Sequence, residues 1–289
     1  MEYLYYPGCS LHAAGKGYDE SLLAVFRALG VPLRELDGWN CCGATAYMSV
    51  DELKAFALAA RNLALAEQEC KSRDVCLVAP CSACYLVLTK VQHRLNEYDQ
   101  IRRPIVEALR NAGLTYHGDI RVRHPLDVLV NDVGVEKVCE GVTAPLEGLK
   151  VACYYGCQVV RPYASFDDQY DPTTMDELLR AVGAEVVDWP LKARCCGGTL
   201  TGTVEEVGQR LSYILLKEAK ERGADAIATC CPLCQFNLEC YQTQIARRFG
   251  NGIGMPVAYF TQLLGRAMGI GDRELGLHRS FVPLEVSAV

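Results

Sequence analysis

The chain has 289 residues, half of them hydrophobic and 22% charged, a balance that suits a globular protein with room for two cores. Its net charge of −6 argues against nucleic acid or an anionic membrane surface as the main partner. The 16 cysteines point to metal ligation or thiol chemistry, not to a disulfide framework, because the opening Met1 to Pro7 has no basic segment and no long apolar run. The uncharged stretch Val75 to Thr89 is too short to cross a bilayer. The chain is therefore expected to be soluble and cytoplasmic, with no direct membrane insertion.

Tyr3 to Tyr6 reads as a short strand stopped by Pro7-Gly8, which leaves Cys9 at its C-terminal end. Asp19 to Leu29 reads as a helix closed by Gly30. Val31 to Leu36, interrupted by Pro32, is a second strand that delivers Cys41-Cys42-Gly43. Asp51 suits the N-cap of a helix to about Cys70, with Leu53, Phe56, Ala57, Ala60, Leu63 and Ala64 inward. Val75 to Ala79 is an all-apolar strand, expected to be buried on both faces, that ends in Cys81-Ser82-Ala83-Cys84. A helix follows to about Leu95, then helical candidates at Ile101 to Ala112 and His124 to Val138.

The same order then recurs. Leu149 to Tyr154 is a strand before Cys157, Thr173 to Val182 a helix, and Glu185 to Asp188 a strand before Cys195-Cys196-Gly197. Thr203 to about Glu221 is a helix with Val204, Val207, Leu211, Ile214 and Leu215 inward. Asp225 to Thr229 is a strand before Cys231-Pro232-Leu233-Cys234, and Leu238 to Phe249 continues as helix. Pro256 to Phe260 is a further strand and Gln262 to Met268 a last helix. The tail from Gly269 has no strong pattern and reads as a docking segment or a loose end.

Alternating strands and helices predict an α/β protein of two pseudo-symmetric Rossmann-like β-α-β halves with parallel sheets. The expected halves are 1–140 and 149–289, joined by a connector at about 141–148. Every thiol group falls at a strand's C-terminal end, where open sheets place their sites and helix N-termini favour anions.

The repeated unit is a lone Cys, then Cys-Cys-Gly, then CxxC. Its gaps are 31 and 38 residues in the first half and 37 and 34 in the second. Two sets of five thiols in one order at nearly one spacing are hard to obtain by chance. A CxxC holds two sulfurs on one metal or on neighbouring metals. An adjacent Cys pair diverges, which suits a cluster of several irons better than one tetrahedral zinc. Five thiolates exceed the four that a cubane needs, so the spacing favours an opened or asymmetric iron–sulfur cluster, or a cluster beside a free thiol. Structural zinc, a dithiol–disulfide pair at each CxxC, and buried cysteines without metal are the alternatives. Cys70, Cys76, Cys139 and Cys240 read as small core residues, while Cys153 and Cys230 lie beside ligand positions.

The motif, complete twice from Cys9 to Cys234, resembles the CCG-domain family and within it the B subunit of heterodisulfide reductase, the HdrB family. Tyr6-Pro7-Gly8-Cys9-Ser10-Leu11-His12 and Trp39-Asn40-Cys41-Cys42-Gly43-Ala44 look more like bacterial members than methanogen ones. The resemblance implies two [4Fe-4S] clusters of a noncubane kind. Cys9, Cys41, Cys42, Cys81 and Cys84 would hold one, and Cys157, Cys195, Cys196, Cys231 and Cys234 the other. It implies a disulfide substrate, cleaved or reversibly formed, and two partners: an HdrC-like iron–sulfur subunit and an HdrA-like flavoprotein subunit. The alternative within the family is an electron-relay module in a flavin-linked bifurcating or benzoyl-CoA reductase-type assembly. His12 is the candidate proton donor, and Lys16 and Arg161 are candidates for binding a substrate anion.

Overall fold

The structure is a computed structural model that describes residues 2–44, 46–70, 75–250 and 252–284. It divides into two compact units, one of Met1–Cys9 with Pro32–Pro125 and one of Ser10–Val31 with Leu126–Val289. The helix that follows Cys9 in sequence thus belongs to the second unit.

The first unit is built on β1 (Glu2–Tyr5), β2 (Arg34–Glu35), β3 (Val75–Val78) and β4 (Arg121–Arg123), ordered β2-β1-β3-β4 and all parallel. Leu4 lies opposite Leu77, so the central pair is apolar, and β3 is buried at every residue, as its run of Val, Cys and Leu requires. Pro32 has no N–H to give a ladder, and pairing on that side shrinks to two residues. The helix Glu52–Glu69 starts where the Asp51 side chain accepts the Lys54 N–H at 3.1 Å. Its buried face is Ala55, Phe56, Ala59, Ala60, Leu63 and Ala64, while Leu53 is exposed, contrary to the apolar pattern. The expected helix from His124 to Val138 is instead three pieces: Pro125–Asp127, a π-turn Val128–Val133, and Val135–Glu140. Pro125 disfavours helical backbone at His124, and Gly134 breaks the run at φ +89°.

The second unit repeats the connectivity with β5 (Lys150–Tyr154), β6 (Glu185–Val186), β7 (Ala226–Thr229) and β8 (Val257–Tyr259), parallel in the order β6-β5-β7-β8. The helix Lys16–Ala28 packs here against Phe260–Ala267, with the Ser21 and Thr261 hydroxyls 2.6 Å apart and Tyr18 stacked on Tyr259 at 4.5 Å. The helix Glu205–Glu221 is turned from its expected face. Leu215 is buried as expected, but Val204, Val207 and Ile214 are exposed, and Gly208, Gln209, Ser212, Leu216 and Ala219 are buried in their place. The reason is close approach: a side chain at Gly208 would meet the Thr201 backbone at 2.4 Å. The expected helix Leu238 to Phe249 breaks at Cys240-Tyr241, where the Gln242 amide takes the Leu238 carbonyl at 3.0 Å. The tail to Leu284 is held: Leu275 is fully buried, and the Arg279 guanidinium forks onto Glu20 at 2.7 and 2.8 Å.

Candidate iron–sulfur sites

Each sheet presents its cysteines in the same way. After β1 the chain turns through Gly8 at φ +66°, where a Cβ would stand 3.0 Å from the Cys84 sulfur. After β5 it turns through Gly156 at φ +70°, where a Cβ would stand 3.0 Å from the Cys234 sulfur. Only glycine fits a positive φ pressed onto a sulfur. The glycine of each Cys-Cys-Gly makes the second close approach, Gly43 onto Ala55 and Gly197 onto Gly208. The small residues that turn both helices from their apolar pattern are therefore there to admit these loops. Each CxxC begins at the N-terminal end of a helix, Ser82–Glu97 or Pro232–Glu239.

The loops are tied by matching bonds. Tyr6 donates its hydroxyl to the Asn40 carbonyl at 2.8 Å, just before Cys41; Tyr154 donates to the Arg194 carbonyl at 2.7 Å, just before Cys195. Burial pushes both phenols up, and the nearby sulfurs push the same way, so each stays a neutral donor. Trp39 packs edge-on to Tyr6 and Trp189 lies tilted against Tyr154. These tyrosines, tryptophans and small helix residues were missed by sequence reasoning. The signal was available in the repeated Tyr-x-Gly-Cys of Tyr6 to Cys9 and Tyr154 to Cys157.

In the first set, the Cys42 and Cys84 sulfurs are 3.2 Å apart and those of Cys9 and Cys41 are 4.0 Å apart. Thiol donation from Cys41 and Cys84 brings Cys42 down to about 4, and Cys41 and Cys84 rise in return. Cys81 is lowered, first by its bond from Cys84. In the second set, Cys196 and Cys234 are 3.6 Å apart. Donation from Cys157 brings Cys195 down to about 6, and donation from Cys234 brings Cys196 down to about 7, while Cys157 and Cys234 rise. Among the described residues no three or more His, Cys, Asp or Glu are arranged around a point that one metal ion would occupy. The sulfurs instead crowd in close pairs, with glycine backbone against them. Two sets of five soft donors, each with two thiols lowered by their neighbours, fit an iron–sulfur core that takes thiolates on several irons.

The other candidates each have their own surroundings. His12 is exposed just after the helical turn Gly8–Leu11. Lys16 is paired with Asp19 at 2.6 Å, and it lines a cavity of about 270 Å³ with Gln235, Glu239, Tyr259, Gln262 and Arg279. Arg161 donates to the carbonyls of Gln169, at 3.3 Å, and Ala193. Of the remaining thiols, Cys76, Cys153 and Cys230 are buried, whereas Cys70, Cys139 and Cys240 are partly exposed.

Fold and donor sets together define a duplicated parallel α/β protein that carries one Cys, Cys-Cys-Gly, CxxC set per half. Residues 3–89 and 151–239 match the CCG cysteine-rich domain, and the chain belongs to that family. It is 34% identical, over 97% of both chains, to the 8-methylmenaquinol:fumarate reductase membrane anchor subunit of Wolinella succinogenes. It is 31% identical to the B subunit of the ferredoxin:CoB-CoM heterodisulfide reductase of Methanosarcina mazei, over 95% of this chain and 92% of that one. A protein of Archaeoglobus profundus, described as like the B subunit of heterodisulfide reductase, is 32% identical over 95% and 93%. Among solved structures, a hypothetical protein from Helicobacter pylori superposes with a TM-score of 0.78 at 16% identity. That likeness covers 98% of this chain but only 52% of the other, and it shows the fold alone.

Proposed function

We propose that this chain is the iron–sulfur catalytic subunit of a heterodisulfide reductase-like complex, which reduces or reversibly forms a disulfide with electrons from a partner iron–sulfur subunit. The observation that carries the reading is the presence of two complete five-cysteine sets with sulfurs in contact, in a chain 31% identical to a heterodisulfide reductase B subunit over nearly its whole length. Cys9, Cys41, Cys42, Cys81 and Cys84 would hold one [4Fe-4S] cluster, and Cys157, Cys195, Cys196, Cys231 and Cys234 a second. Five thiolates for four irons favour a noncubane form. When bound, such clusters supply electrons one at a time, and a disulfide takes two.

The chain's own residues shape what surrounds that chemistry. Gly8 and Gly156 keep side chains off the sulfurs, and Tyr6 and Tyr154 fix the Cys-Cys loops. His12 is exposed outside the core, which suits a proton donor to a departing thiolate. An anionic group reaching Lys16 or Arg161 would compete with Asp19 or with two backbone carbonyls. Electrons would come from an HdrC-like subunit fed by an HdrA-like flavoprotein, in the cytoplasm. Among the described residues no helix is long and apolar enough to cross a membrane.

A second reading is favoured by the 34% identity to a fumarate reductase subunit: the chain relays electrons inside a larger complex and binds no disulfide. Adding a heterodisulfide or a small-molecule disulfide to the anaerobically reduced complex separates the two. Reoxidation seen optically and by EPR, with two thiols released per disulfide, is the expected result. No reoxidation with any of several disulfides would leave the relay.

A further inference from the structure

The two cysteine sets match in sulfur order but not in what faces the sulfurs. Three residues after the last cysteine of each CxxC, the second half has Asn237 and the first has Val87. Both are buried. The Asn237 amide nitrogen lies 3.3 Å from the Cys196 sulfur and 2.8 Å from the Gly198 carbonyl. A carbonyl can only accept, so this edge of the amide must be the NH₂ edge. Its oxygen then turns to the Thr201 hydroxyl, 2.8 Å away. The orientation is thus fixed by three partners, and an N–H is aimed at a ligand sulfur. Val87 has no N–H to give.

A second difference is independent of the first. Four residues after the lone cysteine, the second half has Arg161 and the first has Ala13. The Arg161 backbone N–H bonds to the Cys157 carbonyl at 3.1 Å, and its guanidinium holds the carbonyl of Ala193, two residues before Cys195. The cation is therefore tied to both ligand-bearing segments.

We infer that the two cluster sites are unequal electron acceptors: the second set holds its cluster at the higher reduction potential, and Asn237 and Arg161 set the difference. The inference rests on the reading that each set carries a cluster. Reduction adds one negative charge, which N–H donors to the sulfurs and a nearby cation stabilise. In the first half of the sequence a valine and an alanine occupy the same two places relative to the cysteines. Asn237 and Arg161 are positioning and tuning residues, not catalytic ones.

The test is an EPR-monitored redox titration of the anaerobically prepared, iron-loaded protein, with iron counted in every sample. Two reduction waves are expected. Asn237→Val should lower the upper wave and leave the lower one in place. Val87→Asn should raise the lower wave. Arg161→Ala should lower the upper wave again. The expected size is about tenfold in the one-electron equilibrium constant for each, or about 59 mV. If Asn237→Val fails to retain its iron, Val87→Asn and Arg161→Ala decide the matter. Unmoved waves at full iron content, or movement of the lower wave in Arg161→Ala, would overturn the inference while leaving the cluster reading intact. Wild-type protein without iron would overturn the cluster reading itself.

Discussion

The two halves hold the same sulfur arrangement by different means. In the first, the segment before Cys41 is bonded through a neutral amide pair. Asn62 accepts the Asn40 N–H at 2.9 Å and donates to the Asn40 carbonyl at 2.9 Å, while Arg61 caps the Asn40 side chain. Pro7 precedes Gly8 and stiffens that turn through its fixed φ. In the second, Tyr155 takes the place of Pro7 and belongs to a buried charged network. Its hydroxyl donates to Asp176 at 2.6 Å and accepts the Met175 N–H at 2.7 Å. Asp176 is paired with Lys192 at 2.7 Å, and the Lys192 carbonyl accepts the N–H groups of Tyr155 and Gly156. A neutral clamp and an ionic one thus deliver the lone cysteine and the Cys pair to equivalent places. What is shared by the halves is the approach of glycine to sulfur; what differs is the support behind it.

The largest expected effect comes from removing one sulfur. Cys42→Ser and Cys196→Ser should each cost the iron of one set, leaving about half the iron per chain and about half the visible absorbance. Loss of all iron from either variant would mean that the halves do not bind independently.

Next is the ionic clamp. Lys192→Met leaves Asp176 as a buried charge with one partner fewer and should destabilise the protein by about 3–5 kcal/mol in chemical denaturation. Burial pulls the lysine down, but its bonds to Asp176 and Asp171 outweigh that and raise it. Its contribution is therefore fully present below the unfolded value and is lost only as pH climbs through the raised one, beyond 10.5. Lys192→Met with Asp176→Leu should recover most of the loss. Asn62→Ala, the matching change in the first half, should cost less, about 1–3 kcal/mol, because only neutral groups are orphaned.

Glu239 offers a smaller, pH-dependent effect with no counterpart in the neutral clamp. Its carboxylate accepts the N–H groups of Phe281 and Val282 at 3.0 and 3.2 Å and is pushed up from 4.5 to about 6 by burial. A carboxyl raised on folding binds more protons folded than unfolded. Its share of stability is therefore greatest below 4.5, falls by about 2 kcal/mol between 4.5 and 6, and is flat above. Denaturation midpoints of the wild type against Glu239→Gln across that range should show this slope only in the wild type.

The smallest effect is at Ser212, which donates to the Cys196 carbonyl at 2.9 Å. Ser212→Ala should cost about 1 kcal/mol by thermal or chemical unfolding, without loss of iron.

The order of sheets and thiols was legible because it rests on local rules. Apolar runs such as Val75 to Val78 mark central strands, Asp51 marks a helix start, and Cys spacing marks the repeat. The orientation of the helices beside each Cys-Cys-Gly was not. Leu53, Val204, Val207 and Ile214 look like an inner face, yet loop backbone must pass where Ala55 and Gly208 lie, and that requirement outranks hydrophobic periodicity. The Lys192–Asp176–Tyr155 network was also out of reach, since its members are far apart in sequence and follow no period. Asn237 sat in plain view three residues after a CxxC, but only its partners show which way its amide faces.

The most direct test is elemental and acid-labile sulfide analysis of the unaltered protein, purified without oxygen. Two four-iron clusters predict a brown protein with about eight irons and a comparable amount of sulfide per chain, and no zinc. Colourless protein with sixteen free thiols, or stoichiometric zinc without sulfide, would contradict the account.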